Sequence, residues 1–302
     1  MKLLPIKRVV AMIYCTVCSI CVFTPWIASA DCSNAPPQRI VVFPLYAEEI
    51  IYGLVEPERI IYVGHHYAES GIDDWPTMIK SRQAAGECWE NSDEEEILSL
   101  NPDLLILDSY LQDNFEEDFP AFFHSTVPTL FLDSPKSIDD IIHLIILLGD
   151  IVQKPDAALS MVNEMISSMS SIREVANKIP TNEKKTVALF GEPSIFFDLV
   201  ANVCNVNGLY CPDEQSLAVA NPDIIVLLPY CMDGGFLLDI GKEYSKDCIV
   251  QLESESSLSR ITAISSGAIY ALNFHGSQYI ADCAMRLLKI AYPTFFSDIK
   301  YL

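Results

Sequence analysis

Two stretches of this chain repeat one another. Glu94 to Tyr110 reads EEEILSLNPDLLILDSY, and Glu214 to Tyr230, 120 residues further on, reads EQSLAVANPDIIVLLPY. The opening Glu, the Asn-Pro-Asp, one Leu and the closing Tyr fall at matched positions. Each stretch begins acidic, continues with apolar residues at helical spacing and then meets Asn-Pro. Proline drives the residue before it away from the helical region, so the helix must stop there. The four or five aliphatic residues that follow read as a strand buried on both faces, as in a parallel sheet. A unit that recurs with its punctuation intact points to a duplicated lobe rather than to coincidence between two ordinary helix–strand units.

The rest of the chain fills in around that repeat. Arg39–Phe43, Arg59–Val63, Leu104–Leu107 and Thr129–Leu132 read as strands of a first lobe. Thr186–Phe190, Ile224–Leu228, Cys248–Leu252 and Ala268–Leu272 read as strands of a second, closed by a helix over Ser277 to Ile290. Strands alternating with helices make an α/β fold. Between the lobes, Ser137 caps a helix whose first turn is acidic. Ile138, Ile141, Ile142, Ile145, Ile146 and Leu148 follow at helical spacing, and Ala158, Met161, Met165, Met169 and Ile172 resume the stripe beyond Lys154-Pro155. This predicts one long helix, kinked or broken at Gly149–Pro155; about forty residues would span roughly 60 Å. The methionines read as core rather than as thioether metal ligands. The expected architecture is two Rossmann-like lobes with parallel sheets, 31–136 and 181–302, joined by a backbone helix over 137–180, with a ligand cleft between them.

Residues 1–30 read as a signal peptide. Lys2, Lys7 and Arg8 precede the apolar run Val9 to Ile27, and Ala28-Ser29-Ala30 supplies small residues at a cleavage site. The run also approaches the length of a membrane span, so a retained tether is the rival reading; Pro25 and the Ala-Ser-Ala end favour cleavage before Asp31. Export makes disulfides expected. Of ten cysteines three lie in the leader, leaving seven, an odd number. Cys204 and Cys211 flank a short Asn-Val-Asn-Gly segment read as a turn, and Cys231 and Cys248 flank a Gly-containing loop; these are the two expected pairs. No CxxC follows the leader, which removes the usual zinc-ribbon and thioredoxin spacings.

The chain carries 41 acidic and 19 basic side chains, a net charge of −22, and loss of the three leader cations makes it −25. Residues 31–136 hold 21 acidic and 5 basic side chains, 137–180 hold 6 and 3, and 181–302 hold 14 and 8. Most of the excess therefore sits on the first lobe. Such a balance argues against nucleic acid as a partner, since phosphate is bound through clustered Lys and Arg. It favours a neutral or cationic ligand and a basic partner surface.

Ligands of open parallel sheets sit off the carboxyl ends of the strands. That rule selects the loops Pro44–Glu48, His65–Glu69, Asp108–Tyr110 and Asp133–Pro135, then Gly191–Ser194, Tyr230–Gly235 and Asn273–Gly276. They hold His65, His66 and His275, three of the five histidines, as candidate metal ligands beside Tyr67, Glu69 and Glu192. Imidazole suits Zn, Ni, Cu and Fe, while phenolate and carboxylate suit Fe(III). Neighbours in an extended stretch point to opposite sides, so one of His65 and His66 is expected to face the cleft. Tyr46, Tyr67, Trp75, Tyr110, Tyr230 and Phe274 are candidate stacking faces for a flat macrocycle. None of these loops contains Lys or Arg, which disfavours a polyanionic ferric catecholate. There is no GxSxG, HExxH, P-loop or GxGxxG.

Several stretches together resemble the helical-backbone class of periplasmic solute-binding proteins, which serve ABC importers of iron–siderophores, haem and cobalamin. Arg39-Ile-Val-Val-Phe-Pro with Glu49-Ile-Ile-Tyr-Gly-Leu is similar to that family's first strand, ligand loop and helix. Arg59-Ile-Ile-Tyr-Val-Gly is similar to its second strand. Ile97 to Ile106 resembles its Leu-x-Pro-Asp element, which Leu217 to Val226 repeats. Ser137 to Ala158 resembles the start of its connecting helix, and Arg260 to Leu272 its late strand. The likeness covers most of residues 38–296. One departure is the short Gly191–Val203 segment, where the family carries a longer pocket-lining stretch. The resemblance implies a periplasmic, monomeric, non-enzymatic protein without an intrinsic cofactor. It would capture an iron complex or cobalamin and deliver it to a membrane permease and its ATPase. It implies permease docking through acidic spots on each lobe, for which Glu94, Glu95, Glu96 and Glu214 are candidates. The alternatives are a binder of bare Zn, Mn, Ni or Fe through His65 or His66, His275 and carboxylates, and a chelatase-type enzyme on the same fold.

Overall fold

The computed structural model describes residues 35–63, 94–109, 125–191, 194–228, 249–272, 274 and 276–295. Its first sheet comprises β1 (Ile40–Val42), β2 (Ile60–Val63), β3 (Leu104–Asp108) and β4 (Thr129–Leu132), ordered β2-β1-β3-β4. The second comprises β5 (Thr186–Phe190), β6 (Asn207–Cys211), β7 (Ile224–Leu227) and β8 (Ile269–Ala271), ordered β6-β5-β7-β8. Every pairing is parallel. Numbered within its own sheet, each has the order 2-1-3-4, so the two lobes share one topology.

The repeated segment is what makes them alike. Helices α2 (Glu94–Ser99) and α6 (Glu214–Ala220) end at Asn101 and Asn221, whose φ values of 54° and 42° lie in the left-handed region. Asparagine enters that region more readily than other side-chain-bearing residues, and the proline after it prevents the helix from resuming. The Asp then turns back on the sheet. Asp103 accepts hydrogen bonds from the backbone N–H of Gln38 and Arg39 at 2.7 and 2.9 Å, just before β1. Asp223 accepts from Thr186 N–H at 2.8 Å, at the start of β5, and pairs with Lys185 at 3.3 Å. One tripeptide thus stops a helix, starts a strand and pins the neighbouring strand in both lobes.

Alternation along the strands divides the core. Ile40, Val42, Leu104 and Ile106 of the first sheet and Val187, Leu189, Ile224 and Val226 of the second belong to one continuous apolar core. Helices α1 (Leu45–Leu54), α3 (Ile138–Ile151), α4 (Pro155–Ala176), α5 (Ile195–Val203) and α8 (Ile280–Ala291) complete it. The opposite faces fill two smaller cores, one with Val41, Leu105 and Leu107, the other with Ala188, Ile225 and Leu227. On that second small core also lies the short helix α7 (Thr262–Ser265).

Three expectations need correction. The connection between the lobes breaks within Gly149–Pro155, where a kink or break was expected, and it breaks fully, so two helices replace a single rod. Gln153 turns left-handed at φ 58°, and Pro155, which has no N–H to give to a preceding turn, begins α4. The 22 residues of α4 span about 33 Å rather than roughly 60 Å. The break is tied to the first lobe: Arg59 donates to Val152 O at 3.3 Å, and Lys154 pairs with Glu56 at 2.7 Å. Residues 249–252, expected within a strand over Cys248–Leu252, belong to a helix over 249–254. The reason is a three-residue spacing: Leu252 is buried, Ile249 half-buried, and Val250 between them exposed. Finally, Asn207 and Gly208, read as the end of a turn, open the edge strand β6 (Asn207–Cys211).

Two measurements test this account. A Cβ at Gly149 would collide with the Cβ of Ala158 where α3 and α4 meet. Gly149→Ala should therefore destabilise by about 1–3 kcal/mol in urea unfolding, with an unchanged m-value. The Lys154 ammonium holds the Glu56 carboxyl at a pKa of about 2. A depressed folded pKa stabilises fully above the ordinary value of 4.5 and ceases to as pH falls through about 2. Glu56→Gln should flatten the stability–pH curve in that window and leave its slope near neutrality alone.

Candidate functional site

In each sheet the chain moves from its first strand to one side and then crosses to the other. The topological switch points therefore lie between β1 and β3 and between β5 and β7, and a ligand crevice belongs at their carboxyl ends. Pro44 ends β1 and α1 begins at once, placing Tyr46 under the end of the sheet. Its hydroxyl lies 3.2 Å from Asp108 Oδ2, at the end of β3, and 3.1 Å from Leu132 O, at the end of β4. Burial, and after it the charges of Asp108 and Asp133, push the Tyr46 phenol far up, so it stays neutral. Beside it the Ser109 hydroxyl donates to the Asp133 carboxylate. The described carboxyl end of the first sheet is therefore polar and acidic.

The second sheet presents a different surface. Gly191 follows β5 with φ +91°, a conformation that disfavours a side chain, and its N–H donates to Cys211 O at 3.0 Å. The Tyr210 hydroxyl donates to Gly191 O at 2.8 Å, so the last turn of β5 is held against the end of β6. Tyr210 remains 47% exposed, and Ile195, which opens α5 after the same turn, 43% exposed. The outer end of the Phe196 ring lies against Gly276, where a Cβ would strike it.

The two ends meet. Glu49, in the first turns of α1, is fully buried; its carboxylate accepts from the Ser277 hydroxyl, and its carbonyl accepts from Gln278 Nε2 at 2.9 Å. Ser277 and Gln278 lie between β8 and α8, so the carboxyl ends of both sheets border one junction. Gln278 Oε1 is buried there with no hydrogen-bond partner among the described residues.

Of the expected ligand residues, Tyr46 and Phe274 are described, and both are core side chains rather than open stacking faces. Tyr46 is buried, and Phe274 packs edge-on against buried Phe197 at 5.5 Å. His65, His66, Tyr67, Trp75, Tyr110, Glu192, Tyr230 and His275 lie outside the described residues, as do Cys231 and Cys248. Among the described residues no group of three His, Cys, Asp or Glu is placed to hold a metal, and no helix is long and apolar enough to cross a membrane. The exposed Glu95 and Glu214 stand near the starts of the equivalent helices α2 and α6; Glu94 and Glu96 share α2, with their side chains outside the description.

The expected Cys204–Cys211 bond does not exist. Both thiols are free and buried, one in the main core and one in the second-lobe core. Strand β6 separates them: its five residues rise about 13 Å end to end, well beyond the ~7 Å Cα limit of a disulfide. Cys204 instead donates to Ala284 O at 3.0 Å, and burial raises its pKa. Tyr210 escaped sequence reasoning through the same misreading. The usable signal was the duplication, because a second lobe with the first lobe's topology requires a strand equivalent to β2.

Residues 85–197 match a family model described as periplasmic binding protein. No curated protein matches by sequence. Solved structures do match in fold. The periplasmic heme-binding protein RhuT from Roseiflexus sp. RS-1, in apo form, aligns at a TM-score of 0.65 and 18% identity over 85% of this chain and 99% of its own. A possible iron-binding (periplasmic solute-binding) protein from Staphylococcus epidermidis aligns at 0.62 and 16% over 85% and 99%. The molybdate periplasmic binding protein MolA from Haemophilus influenzae aligns at 0.64 and 12% over 87% and 88%. At these identities the likeness is one of fold.

The lobe junction can be tested alone. Ser277→Ala removes a hydroxyl donor from a buried carboxylate and should cost about 1–3 kcal/mol in chemical unfolding. Ser277→Thr, which keeps the hydroxyl, should cost less.

Proposed function

We propose that this chain, which has the two-lobed fold of the periplasmic binding proteins, is the exported substrate-binding component of an ABC importer. It captures an iron complex (siderophore or haem) or cobalamin between its lobes and hands it to a membrane permease driven by an ATPase. The observation that carries this reading is the Glu49–Ser277–Gln278 junction, which brings the carboxyl ends of both sheets to one place. Two switch-point crevices that border a common junction suit enclosure of one solute by both lobes. Capture of this kind needs affinity and release, with no bond made or broken in the ligand. The continuous core beneath the junction supports a rigid frame for that purpose. Glu94 and Glu214, at equivalent positions on the two lobes, suit docking on a basic permease surface, with Glu95 and Glu96 extending the acidic run on the first. His65, His66 and His275, with Tyr67, Trp75, Tyr110, Glu192 and Tyr230, remain the proposed ligand set of the intervening loops.

Native mass spectrometry of the protein recovered from its own periplasm, with metal analysis, tests the reading. An adduct of haem, corrin or siderophore mass is expected. One metal per chain without an organic ligand would instead identify a bare-ion binder using the histidines. A chemically altered tetrapyrrole released on incubation would identify an enzyme.

A further inference from the structure

Each four-stranded sheet has two edges, and an edge left open is a template for another strand. Among the described residues, three of these edges are protected. β2 and β4 are half-buried or buried along their lengths, and β8 is only three residues long. β6 has no such protection. Its five residues, Asn207-Gly-Leu-Tyr-Cys, include no charge and no proline, and Leu209 and Tyr210 are 40% and 47% exposed. Val219, 83% exposed, stands on α6, the helix packed on one face of β6. Exposed apolar surface thus gathers about this edge.

Pairing with β5 fixes which backbone groups of β6 face outward. Asn207 N–H donates to Lys185 O, and Cys211 O accepts from Gly191 N–H, so Asn207, Leu209 and Cys211 turn their amide groups toward β5. Amide directions alternate along a strand, so the N–H and C=O groups of Gly208 and Tyr210 point away from the sheet.

We infer that this edge pairs with the same edge of a second copy of the chain, antiparallel about a two-fold axis through Leu209. In that register Gly208 of each copy stands opposite Tyr210 of the other. Each such pair exchanges both of its hydrogen bonds, which satisfies every outward amide group of the two residues. Leu209 meets its own counterpart as a non-hydrogen-bonded pair, the arrangement in which side chains lie closest. A two-fold interface must be self-complementary, and the charges about β6 meet that condition. Lys178, Lys184 and Lys185 stand near its amino end with Glu183 and Asp223, whereas Asp213 and Glu214 follow its carboxyl end. Antiparallel pairing sets the cationic end of each copy beside the acidic end of the other. The dimer departs from the monomer that the family resemblance implies, and it does not depend on which solute is captured. Because Glu214 flanks the paired edge, pairing competes with docking of that lobe on a permease.

The test follows the full mature chain by sedimentation velocity and light scattering, at about 0.15 M salt to screen the net charge. A five-residue edge makes a small interface, so a monomer–dimer Kd of roughly 10–100 μM is expected. Leu209→Lys sets like charges against each other at the axis and should raise that Kd at least about tenfold. Leu147→Lys, at an equally exposed position on α3, should leave it unchanged. Leu209→Cys should give a disulfide-linked dimer with oxidised glutathione, and Leu147→Cys should not. Circular dichroism and urea unfolding confirm that each variant is folded. A chain that stays monomeric up to about 500 μM would overturn the inference. So would a dimer that Leu209→Lys leaves intact, which puts the interface elsewhere, or one found only when residues 1–30 are retained, which assigns association to that segment. Each of these outcomes leaves solute capture standing, since that reading is tested by the bound adduct and not by the oligomeric state.

Discussion

A four-stranded parallel sheet cannot stand in water, because both of its faces are apolar and both must be covered. Here two such sheets turn one face each toward a single shared core, and everything else in the molecule follows from that. Ile40, Val42 and Ile106 from the first sheet and Val187, Leu189 and Val226 from the second are packed by the same set of helices. The opposite faces are closed locally, by Ile97 over the first sheet and by Leu217, Leu252 and Leu258 over the second. Two lobes that share a core cannot drift freely, so the spacing between their carboxyl ends is set by packing.

Small polar devices then set the register of that arrangement. Asp103 holds the residues just before β1 and Asp223 the first residue of β5, so an equivalent side chain sets the equivalent strand in each lobe. Arg59 and Lys154 attach the break between α3 and α4 to the first lobe. Glu49, Ser277 and Gln278 attach the loop after β8 to α1 across 228 residues of sequence. A buried carboxylate is costly unless hydrogen-bonded. Its presence at this junction therefore marks a place where geometry matters more than ease of burial. The described carboxyl ends of the two sheets differ in chemistry: Asp108 and Asp133 lie at the ends of β3 and β4, while Tyr210 and Ile195 are exposed beside β5 and β6.

Much of the fold was legible because its signals are local. Seven of the eight described strands lie where aliphatic runs sit between helix stops, and the Asn-Pro-Asp repeat announced both lobes. β6 was missed because Asn207-Gly-Leu-Tyr-Cys carries neither an aliphatic run nor clean alternation. Among the described residues it is an edge strand paired with β5 alone, and most of its residues are exposed. The 249–254 helix was misread because Ile-Val-Gln-Leu satisfies strand and helix patterns alike over four residues. Of the site, the rule of carboxyl ends selected loops, among them the turn at Gly191, but could not rank the side chains within them. Tyr46 and Phe274 are aromatic and well placed in sequence, yet both point into the core.

The amino-acid sequence by itself determined two α/β lobes with parallel strands, a duplicated helix–Asn-Pro-Asp–strand unit, an interrupted helical connection and a strongly acidic chain. Each is decided by interactions among residues close along the chain, or by simple counting. Tertiary structure alone decided which rings are core and which are surface, that Cys204 and Cys211 face different cores, and that Tyr46 joins the ends of three strands. It also decided that Glu49 meets Ser277. These outcomes depend on partners 62 to 228 residues apart. No local pattern encodes them, because a side chain becomes buried or exposed only when distant elements pack around it.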